Sequence, residues 1–513
     1  MTLSYNSPLF FAIFLPAVAL LYQLTPQKFR WIVLLTADYV FFFVWSKALL
    51  LYNVGSTFMT YLFARKLSSM KKAPEGMDRK AFKKKKHRIL VLSVLLNLSI
   101  LVVLKYTNFI GSSVMSLFGG SFTALTIAVP IGISYYTLQC ISYLSDVANK
   151  KIEADTNFFR LALYTSFFPT ILEGPITRFK EISADLFAGH SITAENLTIG
   201  YERILWGLFK KMVIADHLAP VVTSIFRDHS DNGGLCLMGA IFCTIQLYMD
   251  FAGTIDIAIG AGKIFDITIA ENFRQPFFAK NAGDFWHRWH ITLGTFFRDY
   301  IFYPVSLSKP VQSLTKHLTK KGHKKLARYL GPSIAMLCVW LANGFWHGPY
   351  WTYVFYGIYY FVFMIIEMLF EKPFEAWCTK HHLDVNGWGV RTFRFIKLFF
   401  IVIFGEMFFR ASTMALGMKM FTNIFVNFNM KGCLSTLPYL GMDVWDYLTV
   451  SLAFIVVIIV SVLKEKKYPI RQKFEGMPIF ARWGILYALI FAVILFGAYG
   501  PGYDAVAMMY AGF

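Results

Sequence analysis

The chain has 513 residues, of which 56% are hydrophobic and only 16% are charged, and its mean hydropathy is +0.51. This balance excludes an ordinary soluble globular protein, in which about 25% of residues are charged. The formal net charge is +20, but the basic residues form clusters beside apolar stretches, which favours orientation at a membrane over binding of nucleic acid.

Apolar stretches long enough to cross a bilayer, which requires about 20 residues, recur along the chain. They lie at 10–24, 31–51, 89–104, 235–255, 334–346, 351–370, 395–409, 448–463 and 483–496. Three further stretches, at 124–144, 159–172 and 204–219, are interrupted by Pro, Gly or charge, as in kinked or re-entrant segments. The sequence predicts an all-α polytopic membrane protein with about ten or more spans, the first retained rather than cleaved as a signal peptide.

Lysine and arginine are concentrated in segments that adjoin these stretches. Two dense segments, 65–88 and 309–328, are predicted to be basic loops, and a third basic cluster occupies 464–473. Basic loops next to membrane spans stay in the cytoplasm. We therefore expect 65–88 and 309–328 to face the cytoplasm and to interact with anionic lipid headgroups.

A histidine interrupts an apolar stretch near residue 347. As a single helix, the 40 residues of 331–370 would extend about 60 Å, roughly twice the hydrocarbon thickness, so the chain must turn within them. The sequence ANGFWHGP at 342–349 marks the turn, because it contains two glycines and a proline. His347 is thus a candidate general base at a helix break. The alternative is a structural histidine that caps the helix end or hydrogen-bonds a freed backbone carbonyl.

A second polar segment, DFWHRWHITL, occupies 284–293. On a helix, Asp284, His287 and Arg288 would share one face, while His290 would project elsewhere. Two histidines three residues apart resemble half of a metal site, but no adjoining Cys, Glu or third His completes it. No bound metal is predicted.

Two carboxylates lie in the apolar segment 248–260. Asp250 and Asp256 are six residues apart, which places them on different helical faces and disfavours an acid/base pair. We expect each to be buried against Lys or Arg. The Pro/Gly-broken segments 130–137 and 167–178 are expected to play a structural role, and the six cysteines a packing role.

These motifs, in this order, resemble the membrane-bound O-acyltransferase family, and in particular its branch of bacterial polysaccharide O-acetyltransferases of the alginate type. The resemblance rests on PIGISYYT at 130, FFPTILEGPITR at 167, GLFKKMVIAD at 207, YMDFAGTIDIAIG at 248, DFWHRWHITLGTFFRDYIFYP at 284, NGFWHG at 343 and EMFFRAS at 406. It departs from the branch at His287, where an arginine is common. It spans most of the chain and implies a single transmembrane domain over residues 1–513, with kinked or re-entrant segments around a central tunnel.

The resemblance also implies roles for individual residues. His347 matches the near-invariant histidine of the family and His290 matches a second conserved histidine, so both are predicted to be catalytic. Asn343, Trp346, Trp286, Arg288 and Asp284 are predicted to line the substrate tunnel. No bound cofactor is expected, and the residues that would contact the donor are not identified by the sequence.

The expected reaction is transfer of a short acyl group, with acetyl preferred, from a cytoplasmic thioester toward an extracellular polysaccharide. The donor would be acetyl-CoA or an acyl carrier protein, and the expected location is the plasma or inner membrane. The resemblance implies an extracytoplasmic partner similar to SGNH hydrolases, with a serine nucleophile. The alternatives are D-alanyl transfer to teichoic acid, a transporter or flippase of polysaccharide precursors, and a scaffold for a polysaccharide synthase.

Overall fold

The structure is a computed structural model that describes residues 3–499. These residues form 23 α-helices, three π-helical segments and four short 3-10 turns, and their β-structure is limited to one isolated bridge between Phe273 and Trp289. The predicted all-α class is confirmed. The predicted single domain includes 1–2 and 500–513, which lie outside the described residues.

The helices are given in chain order. The first eleven are α1 (Leu15–Leu24), α2 (Arg30–Ser46), α3 (Leu50–Ser69), α4 (Arg79–Leu117), α5 (Ile133–Ala148), α6 (Phe158–Ser166), α7 (Phe168–Ile171), α8 (Phe179–Ala188), α9 (Ala194–Leu208), α10 (Asp216–Asp228) and α11 (Gly233–Ile264). The next twelve are α12 (Ala282–Arg288), α13 (Ile291–Phe297), α14 (Tyr303–Ser306), α15 (Lys309–Lys320), α16 (Lys324–His347), α17 (Trp351–Lys380), α18 (Trp388–Arg410), α19 (Met414–Val426), α20 (Met430–Thr436), α21 (Val444–Glu465), α22 (Ile470–Glu475) and α23 (Ile479–Phe496).

The chain divides into two compact units. Unit 1 comprises residues 3–204 and 254–270, and unit 2 comprises residues 205–253 and 271–499. The candidate histidines and the aromatic residues around them all belong to unit 2. The broken segments 130–137 and 167–178 belong to unit 1.

Buried polar side chains link the helices of unit 1. Asp38 on α2 is fully buried and accepts hydrogen bonds from the Phe168 backbone N–H (2.7 Å) and the Ser166 hydroxyl (3.3 Å). The hydroxyls of Thr57 on α3 and Thr165 on α6 are 2.7 Å apart. Such bonds are a usual means of joining helices in lipid, where apolar surfaces alone provide little drive for association.

The two Pro/Gly-broken segments of unit 1 pack on each other. Gly132 begins α5 in a left-handed conformation (φ +66°), and a Cβ there would lie 2.3 Å from the Ile171 carbonyl oxygen. Only glycine fits such a position without strain. A Cβ would clash with its own backbone in the left-handed conformation and also with the Ile171 carbonyl oxygen. The glycine of the PIGISYYT motif therefore has a structural explanation.

Six helical stretches are long and apolar enough to cross a membrane, judged by length and composition. They are Gln27–Ser69, Arg79–Leu117, Gly233–Ile264, Trp351–Lys380, Val444–Glu465 and Ile479–Phe496. The protein is thus a multi-pass membrane protein, with fewer such spans among the described residues than the ten or more expected. The stretches at 334–346 and 395–409 are helical as α16 and α18, but polar or ionisable residues interrupt both.

The two basic segments are largely helical, contrary to the expectation of loops. Within 65–88 only residues 70–78 lie outside α3 and α4, and 309–328 comprises α15 and the start of α16. Lysine is a good helix former, and Asp78 caps α4 by accepting hydrogen bonds from the backbone N–H groups of Lys80 and Ala81, each at 3.1 Å. Their location on the cytoplasmic side stays a prediction.

Candidate active site

The predicted helix break at residue 347 is confirmed. Helix α16 ends at His347 and α17 begins at Trp351, so the chain reverses within three residues. His347 is 2% exposed. The imidazole therefore lies inside the protein at the tip of a helical hairpin, as the length of the apolar stretch required.

Two glycines bring α16 and α17 into close contact below this tip. A Cβ at Gly344 would lie 2.4 Å from the Tyr353 carbonyl oxygen, and a Cβ at Gly357 would lie 2.3 Å from the Trp340 carbonyl oxygen. Small residues allow the backbones of membrane helices to approach in this way. The hairpin geometry that holds His347 thus depends on the absence of side chains at both positions.

Aromatic rings enclose the imidazole of His347. Its centroid is 5.0 Å from Trp346, 5.1 Å from Phe409 and 5.9 Å from Tyr356, all in edge-to-face arrangements, and 6.2 Å from Tyr353. Phe409 comes from α18, and the two tyrosines are one turn apart on α17. Rings in edge-to-face contact orient one another, so the imidazole is held by three helices.

A buried glutamate contacts one of the rings that enclose His347. Glu406 on α18 is fully buried, and its Oε1 accepts a hydrogen bond of 3.0 Å from the Tyr356 hydroxyl. No role for Glu406 was predicted from the sequence. The sequence does single this residue out, because Glu406 is the one charged residue in the apolar run FFIVIFGEMFF, and an ionisable residue in such a run is a candidate functional residue.

His290 is fixed by a short irregular segment between α12 and α13. Asn272 is fully buried, and its Oδ1 accepts hydrogen bonds from the backbone N–H and the hydroxyl of Thr292, each at 3.0 Å. Its backbone carbonyl accepts the Ile291 N–H at 3.0 Å, and its side-chain amide lies 3.2 Å from His290 Nδ1. Nothing in the sequence pattern singled out Asn272, since the contact joins residues 18 positions apart.

One tryptophan contacts both candidate histidines. The His290 ring centroid is 5.6 Å from that of Trp346 and 4.8 Å from that of Phe251, while Trp346 also packs on His347. His290 is 2% exposed. The structure thus brings His347, Trp346 and His290 into one aromatic group.

The other predicted tunnel residues lie in two different surroundings. Asn343 is buried on α16, and Trp286 packs edge-to-face on Trp340 and Tyr360, each at 4.9 Å. Arg288 instead donates to Asp284 (3.0 Å) and to Glu465 at the end of α21 (2.9 Å). His287, expected in the same cluster, is exposed. The Asp284–Arg288 pair therefore has a structural partner, and the lining role of all these residues stays a prediction.

The prediction that Asp250 and Asp256 are each buried against a basic side chain is confirmed. Asp250 Oδ1 lies 2.6 Å from the fully buried Lys211 Nζ, which also lies 2.9 Å from Asp216 Oδ1. In unit 1, Arg203 pairs with Asp256. Buried charges require such partners. The GLFKKMVIAD motif thus contributes a structural ion pair.

The described residues contain no group of three His, Cys, Asp or Glu side chains that could hold a metal ion. What the site offers is a buried imidazole among aromatic rings, with a second imidazole nearby. Such a group can take a proton from a hydroxyl in surroundings that contain little water. The fold and site therefore define a multi-pass membrane protein with a buried histidine that is a candidate for proton transfer.

The comparisons with known proteins give this class its family. Residues 85–319 match the membrane-bound O-acyltransferase family, a range that includes His290 but not His347. A probable alginate O-acetylase of Azotobacter vinelandii is 30% identical over 82% of this chain and 78% of its own length. A peptidoglycan O-acetyltransferase of Helicobacter pylori is 29% identical over 81% and 79%, and a teichoic acid D-alanyltransferase of Bacillus subtilis is 30% identical over 54% and 69%.

The chain belongs to the membrane-bound O-acyltransferase family. Its match to the alginate O-acetylase covers more of both chains than its match to the D-alanyltransferase, which supports the alginate-type branch that the motifs indicated. It is therefore a membrane O-acyltransferase, and the expectation of an enzyme is confirmed over the transporter and scaffold alternatives.

Proposed function

We propose that this enzyme transfers an acetyl group from a cytoplasmic thioester toward an extracellular polysaccharide, with His347 as general base. The observation that carries the proposal is the buried imidazole at the tip of the α16–α17 hairpin, enclosed by aromatic rings and joined through Trp346 to His290. A base in such a place is shielded from bulk water, which would otherwise compete as acceptor.

In the proposed reaction the acceptor hydroxyl attacks the thioester carbonyl carbon. A C–O bond forms as His347 removes the hydroxyl proton; the C–S bond then breaks, and the thiolate leaves and takes up a proton. His290, Trp346 and Asn343 would orient the acyl group or stabilise the developing oxyanion, which few waters can reach. The products are an acyl ester and a free thiol.

The donor and the partners follow from the same reasoning. A thioester used from the cytoplasm removes the need to move a hydrophilic donor through lipid, which the bilayer opposes. Acetyl-CoA or an acylated carrier protein serves as this donor, and no bound cofactor is required. We further propose that the enzyme lies in the plasma or inner membrane and works with an extracytoplasmic SGNH-hydrolase-like protein that completes transfer to sugar.

A second candidate is D-alanyl transfer to teichoic acid, favoured by the identity to the Bacillus subtilis relative. The donor separates the two candidates. Purified enzyme should release thiol from an acetyl thioester such as acetyl-CoA under the first proposal, whereas use of a D-alanylated carrier protein alone would support the second.

The mechanism is tested by replacing each histidine. His347→Ala should abolish acyl transfer, because His347 occupies the hairpin tip. His290→Ala should weaken acyl transfer to a smaller and less uniform extent, because His290 has a supporting place beside it. His287→Ala is the matched control, since His287 is exposed on the same segment. Mass spectrometry of the cell-surface polysaccharide, with and without the gene, identifies the acyl group and acceptor. Near-normal turnover by the purified His347→Ala protein would refute the mechanism.

A further inference from the structure

We propose that Glu406 is a positioning residue that orients His347 through Tyr356. The inference rests on the proposed role of His347. It concerns a carboxylate that the mechanism above does not use and that burial would otherwise make costly.

The geometry forms one continuous connection. Glu406 is fully buried and accepts the Tyr356 hydroxyl hydrogen bond at 3.0 Å. The Tyr356 ring lies edge-to-face against the imidazole of His347, with centroids 5.9 Å apart and planes at 85°. Phe409, one turn beyond Glu406 on α18, packs on both rings, at 5.0 Å from Tyr356 and 5.1 Å from His347. A shift of Tyr356 would therefore be transmitted to the imidazole.

The chemistry of the pair gives it a direction. In this bond the Tyr356 hydroxyl donates to Glu406 Oε1, so Tyr356 commits its single hydroxyl proton to Glu406. The tyrosine oxygen is then left as an acceptor toward any other group. A hydrogen bond to a buried protein group fixes the ring more firmly than a bond to mobile water would.

The neighbouring turn of the same two helices offers a matched comparison. The Tyr359 hydroxyl on α17 donates to the Ile401 carbonyl oxygen on α18 at 2.8 Å. Its ring packs on Phe363 at 4.7 Å and Phe355 at 6.2 Å. Tyr359→Phe thus removes a hydrogen bond between the same helices without touching the rings around His347.

The test measures alkali-labile acyl esters on the cell-surface polymer, per amount of enzyme in the membrane, at limiting expression. This readout works whichever donor and acceptor the enzyme uses. Tyr356→Phe and Glu406→Leu should each reduce ester formation about 10- to 100-fold, because a misplacement near 1 Å at a catalytic group has that effect. The double variant should be no worse than the less active single variant, since both remove one bond.

Two variants distinguish positioning from a general loss of structure. Glu406→Gln keeps an acceptor oxygen for Tyr356 and should retain most activity, whereas Tyr359→Phe should stay within about threefold of wild type. Equal losses in Tyr356→Phe and Tyr359→Phe would overturn the proposal, as would full activity of Tyr356→Phe. Loss in Glu406→Gln equal to that in Glu406→Leu would also overturn it, by showing that charge rather than the hydrogen bond matters.

His347→Ala belongs in the same experiment. An inactive His347→Ala protein beside a fully active Tyr356→Phe protein would refute this inference alone. An active His347→Ala protein would refute the proposed function itself.

Discussion

Substituting Gly357 by alanine tests whether the close contact of α16 and α17 sets the position of His347. The added Cβ would lie 2.3 Å from the Trp340 carbonyl oxygen, while ordinary contact begins at 3.4 Å, so the helices must separate by about 1.1 Å. Trp340 lies two turns before His347 on the same helix. Because misplacement of a catalytic group by about 1 Å lowers the rate roughly 100-fold, we expect a loss of that order, or about 2.7 kcal/mol.

The expected effect on stability is smaller and has an opposing component. Alanine is favoured over glycine in a helix by about 1 kcal/mol, which offsets part of the cost of the contact. The variant should therefore fold and reach the membrane while transferring little acyl group. This combination separates a displaced site from an unfolded protein.

Ester formation on the surface polymer and thermal unfolding in detergent are the two measurements. Gly484→Ala is the matched control, because this helical glycine on α23 has no atom within 4 Å of an added Cβ. Activity of Gly357→Ala equal to that of Gly484→Ala would refute the reasoning. A loss of folded protein proportional to the loss of activity would do so as well.

Three further predictions concern charge. Lys211→Met should lower the free energy of unfolding by about 3–5 kcal/mol, measured by thermal denaturation, because Asp216 and Asp250 lose their shared cation, and replacing both by Asn as well should restore much of it. Single cysteines placed in 70–78 or at 321–323 should resist labelling from outside intact cells, and ready labelling would reverse the predicted topology. Neutralising the four exposed lysines of 320–325 should raise the apparent KM for donor, less so at high salt, if this segment attracts an anionic donor; an unchanged KM would restrict these lysines to orientation.

The sequence predicted the helix break at His347 because the length of the apolar stretch around it already requires a turn. A 40-residue apolar stretch cannot cross a bilayer once, and the glycines and proline show where it turns. The groups that surround the imidazole were beyond such reasoning. Phe409 and Glu406 come from a helix about 60 residues further on, and no local pattern states which helices become neighbours.

The polar segment at 284–293 shows the same limit more clearly. Helical spacing correctly paired Asp284 with Arg288, since both lie on α12. It could not show that the helix ends at Arg288, that Glu465 shares the arginine, or that Asn272 holds the turn. Likewise, burial of Asp250 against a cation followed from its apolar surroundings, but the choice of Lys211 did not.

The backbone of His290 is strained, and this strain bears on where its imidazole lies. Its φ is +47°, in the left-handed region, which costs a residue with a Cβ roughly 1–2 kcal/mol and costs glycine almost nothing. The bonds from Asn272 hold the turn in place whichever residue stands there. Glycine at 290 would relieve the backbone strain, but it would also remove a buried ring that packs on Phe251 and Trp346. The strained backbone therefore places the imidazole against these two rings, and because strain of this kind clusters at functional sites, His290 is a residue to test.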